Sequence, residues 1–240
     1  MSGLEAFSPK GMLHEGWSAQ VDDYAITCGW ALQGKTFLVG DVAGGLYAFE
    51  GKSGKLIWQD KEIHEGGLLA MSIHPDGNTF ATAGQDGRVV IWESKEGKLF
   101  QNLELGKGWV EHINWSPDGK FLAVVFTKYV YVFDEKGQEH WRSEKHPSTV
   151  SAIAWSNSNE LATACYGRVT FFDVVNDKVN QKLEWQGSLV SMVLSPDGDI
   201  VACGSQDNSV HFWRRSTEQD AEMTGYPGKP SHLAFDSSGI

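Results

Sequence analysis

The sequence predicts an all-β protein built from repeated four-stranded antiparallel units. Two markers recur with the same period along the 240 residues, and hydrophobicity alternates every second residue within each period. The first marker is a polar turn whose first residue recurs every 39 to 42 positions, at His74, Ser116, Ser156, Ser195 and Asp236. The second is an aromatic residue near the end of an apolar run, spaced by 39 to 43 positions, at Phe49, Trp92, Phe133, Phe172 and Trp213.

Each period contains four predicted strands, labelled a to d. Residues 109–141 show the pattern, with apolar runs at 110–115, 121–126 and 129–133 followed by a more polar strand. A Pro-Asp-Gly turn separates the first two runs, because Pro presets φ and Asp-Gly accepts tight geometry. One such unit cannot cover both faces of its sheet, whereas units stacked around an axis can. The repeat therefore predicts a β-propeller.

The predicted propeller is a single domain over residues 1–240. Its five complete blades are expected at 24–61, 67–104, 109–142, 149–186 and 189–224. A sixth blade is expected to begin at 230–240 and to stop inside its first turn, which predicts a truncated seven-bladed ring. Leu13 to Ala19 is the expected closing strand of that ring.

The blades resemble WD40 repeats over roughly residues 24–240. Residues 204–213, Gly-Ser-Gln-Asp-Asn-Ser-Val-His-Phe-Trp, look like the family's Gly-Ser-x-Asp-x-Thr/Ser-Val-x-x-Trp stretch, and residues 84–92 are similar. In the family, the Asp of this stretch joins a structural hydrogen-bond network with a Ser, a His and the Trp. The resemblance implies structural roles for His64, Asp86, Trp92, Phe133, Phe172, Ser205, Asp207 and Trp213.

The sequence also departs from the family pattern. It contains no Trp-Asp dipeptide and no Gly-His pair, and Lys128 and Tyr166 stand where the third and fourth blades would carry the turn Asp. Most blades are therefore expected to lack the whole network. The missing dipeptide and the Asp-Gly turns favour a bacterial source.

The resemblance implies a non-catalytic scaffold or adaptor that binds other proteins. The expected docking surface is the top face, where the b–c and d–a loops meet. Candidate partner-binding residues there are Gln85, Trp109, Lys128, His146, Tyr166 and Gln206. Trp and Tyr are favoured anchors at interfaces, although Trp109 has the alternative of packing inward at the start of strand a. The alternative function is a propeller enzyme of lactonase or hydrolase type, acting on a small molecule in the central channel.

Charge and cysteine content limit the partners. The formal net charge of -11 disfavours nucleic-acid phosphates and anionic membrane surfaces. Three widely spaced cysteines without a Cys-x-x-Cys pair predict reduced thiols and a cytoplasmic location. The histidines lack metal-ligand spacing. We expect no cofactor and a monomeric full-length protein.

One segment matches a nucleotide-binding motif letter for letter. Residues 29–36 read Gly-Trp-Ala-Leu-Gln-Gly-Lys-Thr, which fits the P-loop pattern G-x-x-x-x-G-K-[ST]. A P-loop needs a helix after the Lys, and its N-terminal N–H groups hold the phosphate. The following residues, 37–42, have the pattern of a strand, so the segment is predicted to be an a–b hairpin instead.

Overall fold

Antiparallel strands make up nearly all of the regular structure. The structure, a computed structural model, describes residues 16–61 and 63–236. In these two ranges the only helical segment is a 3₁₀ turn at Leu32–Gly34. The strands form three four-stranded sheets and one six-stranded sheet. The prediction of an all-β fold with repeated antiparallel sheets is confirmed.

The three four-stranded sheets follow one another along the chain. Sheet one comprises β1 Ala25–Ala31, β2 Thr36–Asp41, β3 Leu46–Glu50 and β4 Leu56–Asp60. Sheet two comprises β5 Leu68–Ile73, β6 Thr79–Gly84, β7 Arg88–Glu93 and β8 Leu99–Glu104. Sheet three comprises β9 Val110–Trp115, β10 Phe121–Phe126, β11 Tyr129–Asp134 and β12 Glu139–Arg142. In each sheet, strands that are consecutive in sequence are hydrogen-bonded neighbours.

The six-stranded sheet contains two unusually long strands. Its members are β13 Ala152–Trp155, β14 Glu160–Asp173, β15 Lys178–Leu194, β16 Ile200–Ser205, β17 Val210–Arg214 and β18 Gln219–Met223. The first half of β14 pairs with β13 and its second half with β15, whose own second half pairs with β16. Val174 N donates to Asn159 O at 3.0 Å, as Ser94 N does to Asn78 O in sheet two. Both halves of β14 therefore form the same hairpin as β6 and β7.

The core lies between successive sheets. The second and third strands of the four-stranded sheets are largely buried, whereas outer strands such as β4 and β18 are exposed. One apolar cluster joins sheets one and two, and others join sheet two to sheet three and sheet three to the six-stranded sheet. Along the inner side, β1 contacts β5, β5 contacts β9, and β9 contacts β13. Stacking thus buries both faces of sheets two and three, which have a sheet on either side.

The same hydrogen bond closes every junction between neighbouring repeats. A side chain on the fourth strand of one repeat donates to the third-to-fourth strand turn of the next repeat, within 3.4 Å. The four pairs are Trp58 Nε1 to Ser94 O, Gln101 Nε2 to Lys136 O, Trp141 Nε1 to Asp177 Oδ1, and Gln181 Nε2 to Arg215 O. Trp58 and Trp141 therefore connect repeats at the rim.

Two expected strands are not formed. Residues 16–19 of the expected closing strand carry no strand, and residues 13–15 lie outside the described residues. Trp17 packs instead against Phe37 and Phe49, so side-chain contacts replace a strand ladder on the outer face of sheet one. Residues 230–236, expected to begin a sixth blade, also form no strand, and residues 237–240 lie outside the described part.

Candidate protein-interaction face

The b–c turns and the d–a loops lie at one end of the sheets, here called the top face. Backbone and hydroxyl hydrogen bonds join the b–c turns of the second, fourth and fifth repeats to neighbouring d–a loops. These bonds are Gln85 N to Gly67 O, Leu105 N to Gly87 O, Tyr166 N to Ser148 Oγ, and Gln206 N to Ser188 O, at 2.8 to 3.1 Å. The loops are therefore held together as one continuous surface.

A buried hydrogen-bond chain supports the top face in sheet two. Trp92 Nε1 donates to Thr82 Oγ1 at 2.9 Å, and Thr82 Oγ1 lies 2.9 Å from His64 Nε2. His64 Nδ1 lies 3.0 Å from Asp86 Oδ1. Asp86 also accepts from the backbone N–H of Glu65, so the chain connects strand c to the b–c turn and the d–a loop.

The protonation states of His64 and Asp86 follow from their contacts in this hydrogen-bond chain. Burial lowers the pKa of His64, despite the opposing effect of the Asp86 carboxylate. Burial alone would raise the pKa of Asp86, but hydrogen bonds from His64 and Arg88 outweigh it and lower that pKa. A neutral His64 that donates from Nδ1 to ionised Asp86 leaves Nε2 to accept from the Thr82 hydroxyl. Every polar side chain from Trp92 to Asp86 in this hydrogen-bond chain then has a partner.

The fourth repeat retains half of this hydrogen-bond chain, and His146, one of the predicted partner-binding residues, takes part in it. His146 is buried, and its Nε2 lies 3.1 Å from Thr163 Oγ1, as His64 lies beside Thr82. Phe172 replaces the Trp donor and contacts the His146 ring edge-on, with centroids 6.0 Å apart. Ser143 Oγ lies 3.4 Å from His146 Nδ1, on the side where His64 meets Asp86. His146 is therefore mostly buried, and the small part that stays accessible lines a cavity on the side of the molecule.

The fifth repeat forms no such chain, although its sequence is nearest to the family pattern. Ser205 donates to Ser188 O at 3.3 Å, and Asp207 accepts from Ser209 N and Oγ. Neither bonds to Trp213. In strand register, Cys203 occupies the place of Thr82.

An aromatic stack replaces the hydrogen-bond chain in the fifth repeat. The ring of buried His211 lies 3.9 Å from the Trp185 ring and 4.1 Å from the Trp213 ring, centroid to centroid. Neither His211 nitrogen forms an aligned hydrogen bond among the described residues, although Nε2 lies 3.3 Å from Asp220 Oδ2. Burial lowers the pKa of His211, opposed by the charges of Asp220 and Glu222.

Sheet three has neither the His nor the turn Asp. Phe133 lies near the end of strand β11 and packs in the core between sheets two and three. Lys128, at the b–c turn, is half-buried and its Nζ donates to Pro147 O at 3.2 Å. This bond ties the turn to the following d–a loop, so Lys128 has a structural contact at the top face as well as an accessible surface.

A pocket of about 360 Å³ opens on the top face above the sheet-two chain. Its lining residues are Glu65, Gly66, Gln85, Asp86, Lys107, Gly108 and Trp109. Gly87 makes this geometry possible because its φ is +73° and a Cβ there would collide with the Gly106 carbonyl oxygen. The buried chain fixes Asp86 and Glu65, which form one wall of the pocket.

Two large aromatic side chains are exposed at the top face. Trp109 is 54% exposed and Tyr166 is 60% exposed, so Trp109 does not pack inward. Gln206 is exposed and Gln85 is half-buried at the rim of the pocket. Thus five of the six predicted partner-binding residues reach the surface at this face.

The segment with P-loop lettering forms a tight hairpin. Leu32, Gln33 and Gly34 have φ values of 49°, 57° and 78°, and strand β2 begins at Thr36. No helix N-terminus follows Lys35, so the segment lacks the phosphate-binding element of a P-loop.

Over the described residues, no three His, Cys, Asp or Glu side chains converge as metal ligands. The three cysteines are free, with Cys28 exposed and Cys165 and Cys203 buried. Over the same ranges, no helix has the length and apolar content to cross a membrane.

Stacked antiparallel sheets of this period, with loops gathered at one end, define the class of β-propeller repeat proteins. The family model "WD domain, G-beta repeat" matches residues 59–93 and 178–214. A chain in a crystal structure of the mitotic checkpoint complex superposes with a TM-score of 0.80 at 17% identity, over 92% of this chain and 71% of that one. These matches identify WD40 repeats in this chain within a β-propeller fold.

Curated relatives share this architecture over part of their length. Echinoderm microtubule-associated protein-like 2 of Mus musculus is 26% identical over 88% of this chain and 39% of its own length. Cell division cycle 20.1, cofactor of APC complex, of Arabidopsis thaliana is 28% identical over 58% of this chain and 32% of its own length. The chain therefore spans well under half of either relative. Both come from eukaryotes, and the expectation of a bacterial source is not borne out.

Proposed function

We propose that this chain is a non-catalytic scaffold that binds a protein partner through its top face. The observation that carries the proposal is exposed Trp109 beside the top pocket, whose wall is fixed from below by the chain from Trp92 to Asp86. A large aromatic side chain at the edge of a rigid concave site is typical of an interface anchor. Because the site is rigid, little conformational entropy is lost when a partner binds.

The names of similar proteins support this proposal. One is described as a cofactor of a complex, and the structural neighbour comes from a checkpoint complex. The names of both proteins therefore refer to a protein complex. For this chain we propose protein partners, with Gln85, Trp109, Lys128, Tyr166 and Gln206 at the contact surface.

We also propose how the strands divide into blades. Sheets one to three supply blades 24–61, 67–104 and 109–142, and the six-stranded sheet supplies blades 149–186 and 189–224. The matching hairpin bonds in sheet two and β14 support this division. The acidic net charge and free cysteines favour a cytoplasmic protein that does not bind nucleic acid.

The test compares two exposed tryptophans at opposite ends of the sheets. Trp109 is 54% exposed at the top face, and Trp30 is 52% exposed near the a–b hairpin at the other end. Tagged wild-type chain, Trp109→Ala, Tyr166→Ala and the Trp30→Ala control would be used to capture partners from a lysate of the source organism. Captured proteins would be quantified by mass spectrometry.

We expect specific partners to be lost with Trp109→Ala and reduced with Tyr166→Ala, but retained with Trp30→Ala. Truncating an interface anchor costs about 2 kcal/mol or more, which is roughly a thirtyfold loss of affinity. Partner recovery that is the same for Trp109→Ala and for Trp30→Ala would refute the top-face proposal.

A further inference from the structure

A groove runs along the side of the molecule between β12 and the six-stranded sheet. It consists of two cavities of about 390 and 380 Å³, which share the lining residues Trp141, Arg142 and Asp177. The first extends up to the d–a loop at Pro147, and the second extends down to Val175. This lateral groove shares no residue with the top pocket.

The upper cavity is basic, in contrast to the rest of the protein. Five basic residues and two acidic residues line it, whereas the whole chain has a net charge of -11. The basic residues are Arg142, Lys145, Arg168, Lys178 and Lys182. They come from the d–a loop and from strands β12, β14 and β15, so folding brings together charges that are dispersed in the sequence.

Most of these positive charges form no ion pair within the described residues. Lys145, Arg168, Lys178 and Lys182 have no carboxylate within ion-pair distance there, whereas Arg142 lies 3.7 Å from Glu139 and over the Tyr131 ring. Of the two acidic residues in the upper cavity, Asp177 already accepts a hydrogen bond from Trp141 Nε1 at 2.7 Å. Like charges that converge without counter-charges repel one another, and an anionic ligand would relieve that repulsion.

The groove also has apolar surface that can hold side chains. Trp141 and Phe172 contact each other at 5.2 Å between ring centroids and line the upper cavity, and Val175 is 49% exposed beside the lower one. The outermost strand, β12, has only one neighbour in its sheet, so its outer edge is open. An elongated groove with an open edge strand suits an extended chain.

We propose that the lateral groove binds an extended acidic segment of a partner protein. Its carboxylate side chains lie over the lysine and arginine side chains of the upper cavity, and an apolar side chain contacts Val175 in the lower one. A flat anionic membrane fits less well, because the basic residues line a recess and the remaining surface is acidic. This site is separate from the top face, so each proposal can fail without the other.

The first experiment selects ligands for the groove. A phage library of random twelve-residue peptides would be depleted on the Lys145→Glu/Lys182→Glu variant and then selected on the wild-type chain. We expect enriched peptides to carry several Asp or Glu residues near an apolar residue. Selection of no peptide, or of peptides without an acidic excess, overturns the proposal.

The second experiment measures affinity by fluorescence anisotropy with the enriched peptides. Lys145→Glu/Lys182→Glu should weaken binding at least about tenfold, because two attractive charges become repulsive. The control Lys52→Glu/Lys55→Glu changes the net charge equally at exposed positions in the β3–β4 turn and should change affinity less than about twofold. Circular dichroism and thermal melting would show that both variants are folded.

Two results would overturn the proposal at this stage. Equal weakening by the two charge variants would show that the overall field acts rather than the groove. Binding of the wild-type chain to phosphatidylserine vesicles, lost in Lys145→Glu/Lys182→Glu while no peptide binds, would assign the groove to a membrane surface instead.

Discussion

Replacing Thr82 by Val tests the buried chain under the top face. The substitution preserves the shape of the side chain but removes the hydroxyl, which has no solvent exposure and contacts both Trp92 Nε1 and His64 Nε2 at 2.9 Å. Both groups would then be buried without a partner. An unsatisfied buried polar group costs about 1–3 kcal/mol, so we expect Thr82→Val to lower the free energy of unfolding by about 3 kcal/mol.

The fourth repeat supplies a matched control. Thr163 is equally buried, but its hydroxyl contacts only His146 Nε2, at 3.1 Å, because Phe172 replaces the tryptophan donor. Thr163→Val therefore leaves one group unsatisfied and should cost about 1.5 kcal/mol. Because the position in the repeat and the substitution are the same, the difference between the two losses of stability measures the contribution of the Trp92 hydrogen bond.

Urea unfolding followed by far-ultraviolet circular dichroism would measure both variants. With a slope near 3 kcal/mol per molar urea, Thr82→Val should lower the midpoint by about 1 M and Thr163→Val by about half as much. Equal midpoint shifts, or a Thr82→Val shift below that of Thr163→Val, would refute the claim that the number of orphaned partners sets the cost.

Three further predictions concern other buried groups. Arg215→Met leaves the Glu160 carboxylate without the guanidinium 3.0 Å away and should cost about 3 kcal/mol in urea unfolding, with Arg215→Lys costing less. Burial lowers the pKa of His211 from 6.5, so the unfolded protein takes up this proton before the folded protein does as the pH falls, and folding loses stability. His211→Phe lacks this titrating group. Between pH 7 and 5.5, its urea midpoint should therefore fall less than that of the wild type. Gly87→Ala should lower the melting temperature by several degrees, about 4 °C or more, because its Cβ collides with Gly106 O; an unchanged melting curve would contradict that contact.

The repeat period was sufficient to predict the fold. Two markers with a common spacing fix where each hairpin turns, and the structure places strands at those positions. The described residues of the expected strand at Leu13 to Ala19 do not form a strand, because Trp17 contacts sheet one through its side chain. Alternating hydrophobicity cannot distinguish such side-chain contacts from backbone pairing in a sheet.

The buried chain was predicted only in part. The resemblance assigns His64, Asp86 and Trp92, but it also assigns the hydroxyl of the fifth repeat to Ser205, whereas Cys203 holds the position of Thr82. A usable signal was present, because Ala-Thr-Ala occurs at 81–83 and again at 162–164, each with a histidine upstream. A polar residue recurring inside a buried strand indicates a required hydrogen bond.

The lateral groove could not be predicted from the sequence. Its basic residues are scattered from Arg142 to Lys182 among acidic neighbours, so no charge run marks them. Their proximity depends on how β12 packs beside β14 and β15.

The side-chain hydrogen bond that joins each repeat to the next couples the repeats as neighbours along a linear array. Each repeat meets only the repeat before it and the repeat after it, so stability is the sum of local terms and nearest-neighbour terms. A defect at Thr82 should therefore increase native-state hydrogen exchange in sheet two and, more weakly, in sheets one and three. The exchange rates of β17 and β18, in the fifth repeat, should stay as in the wild type.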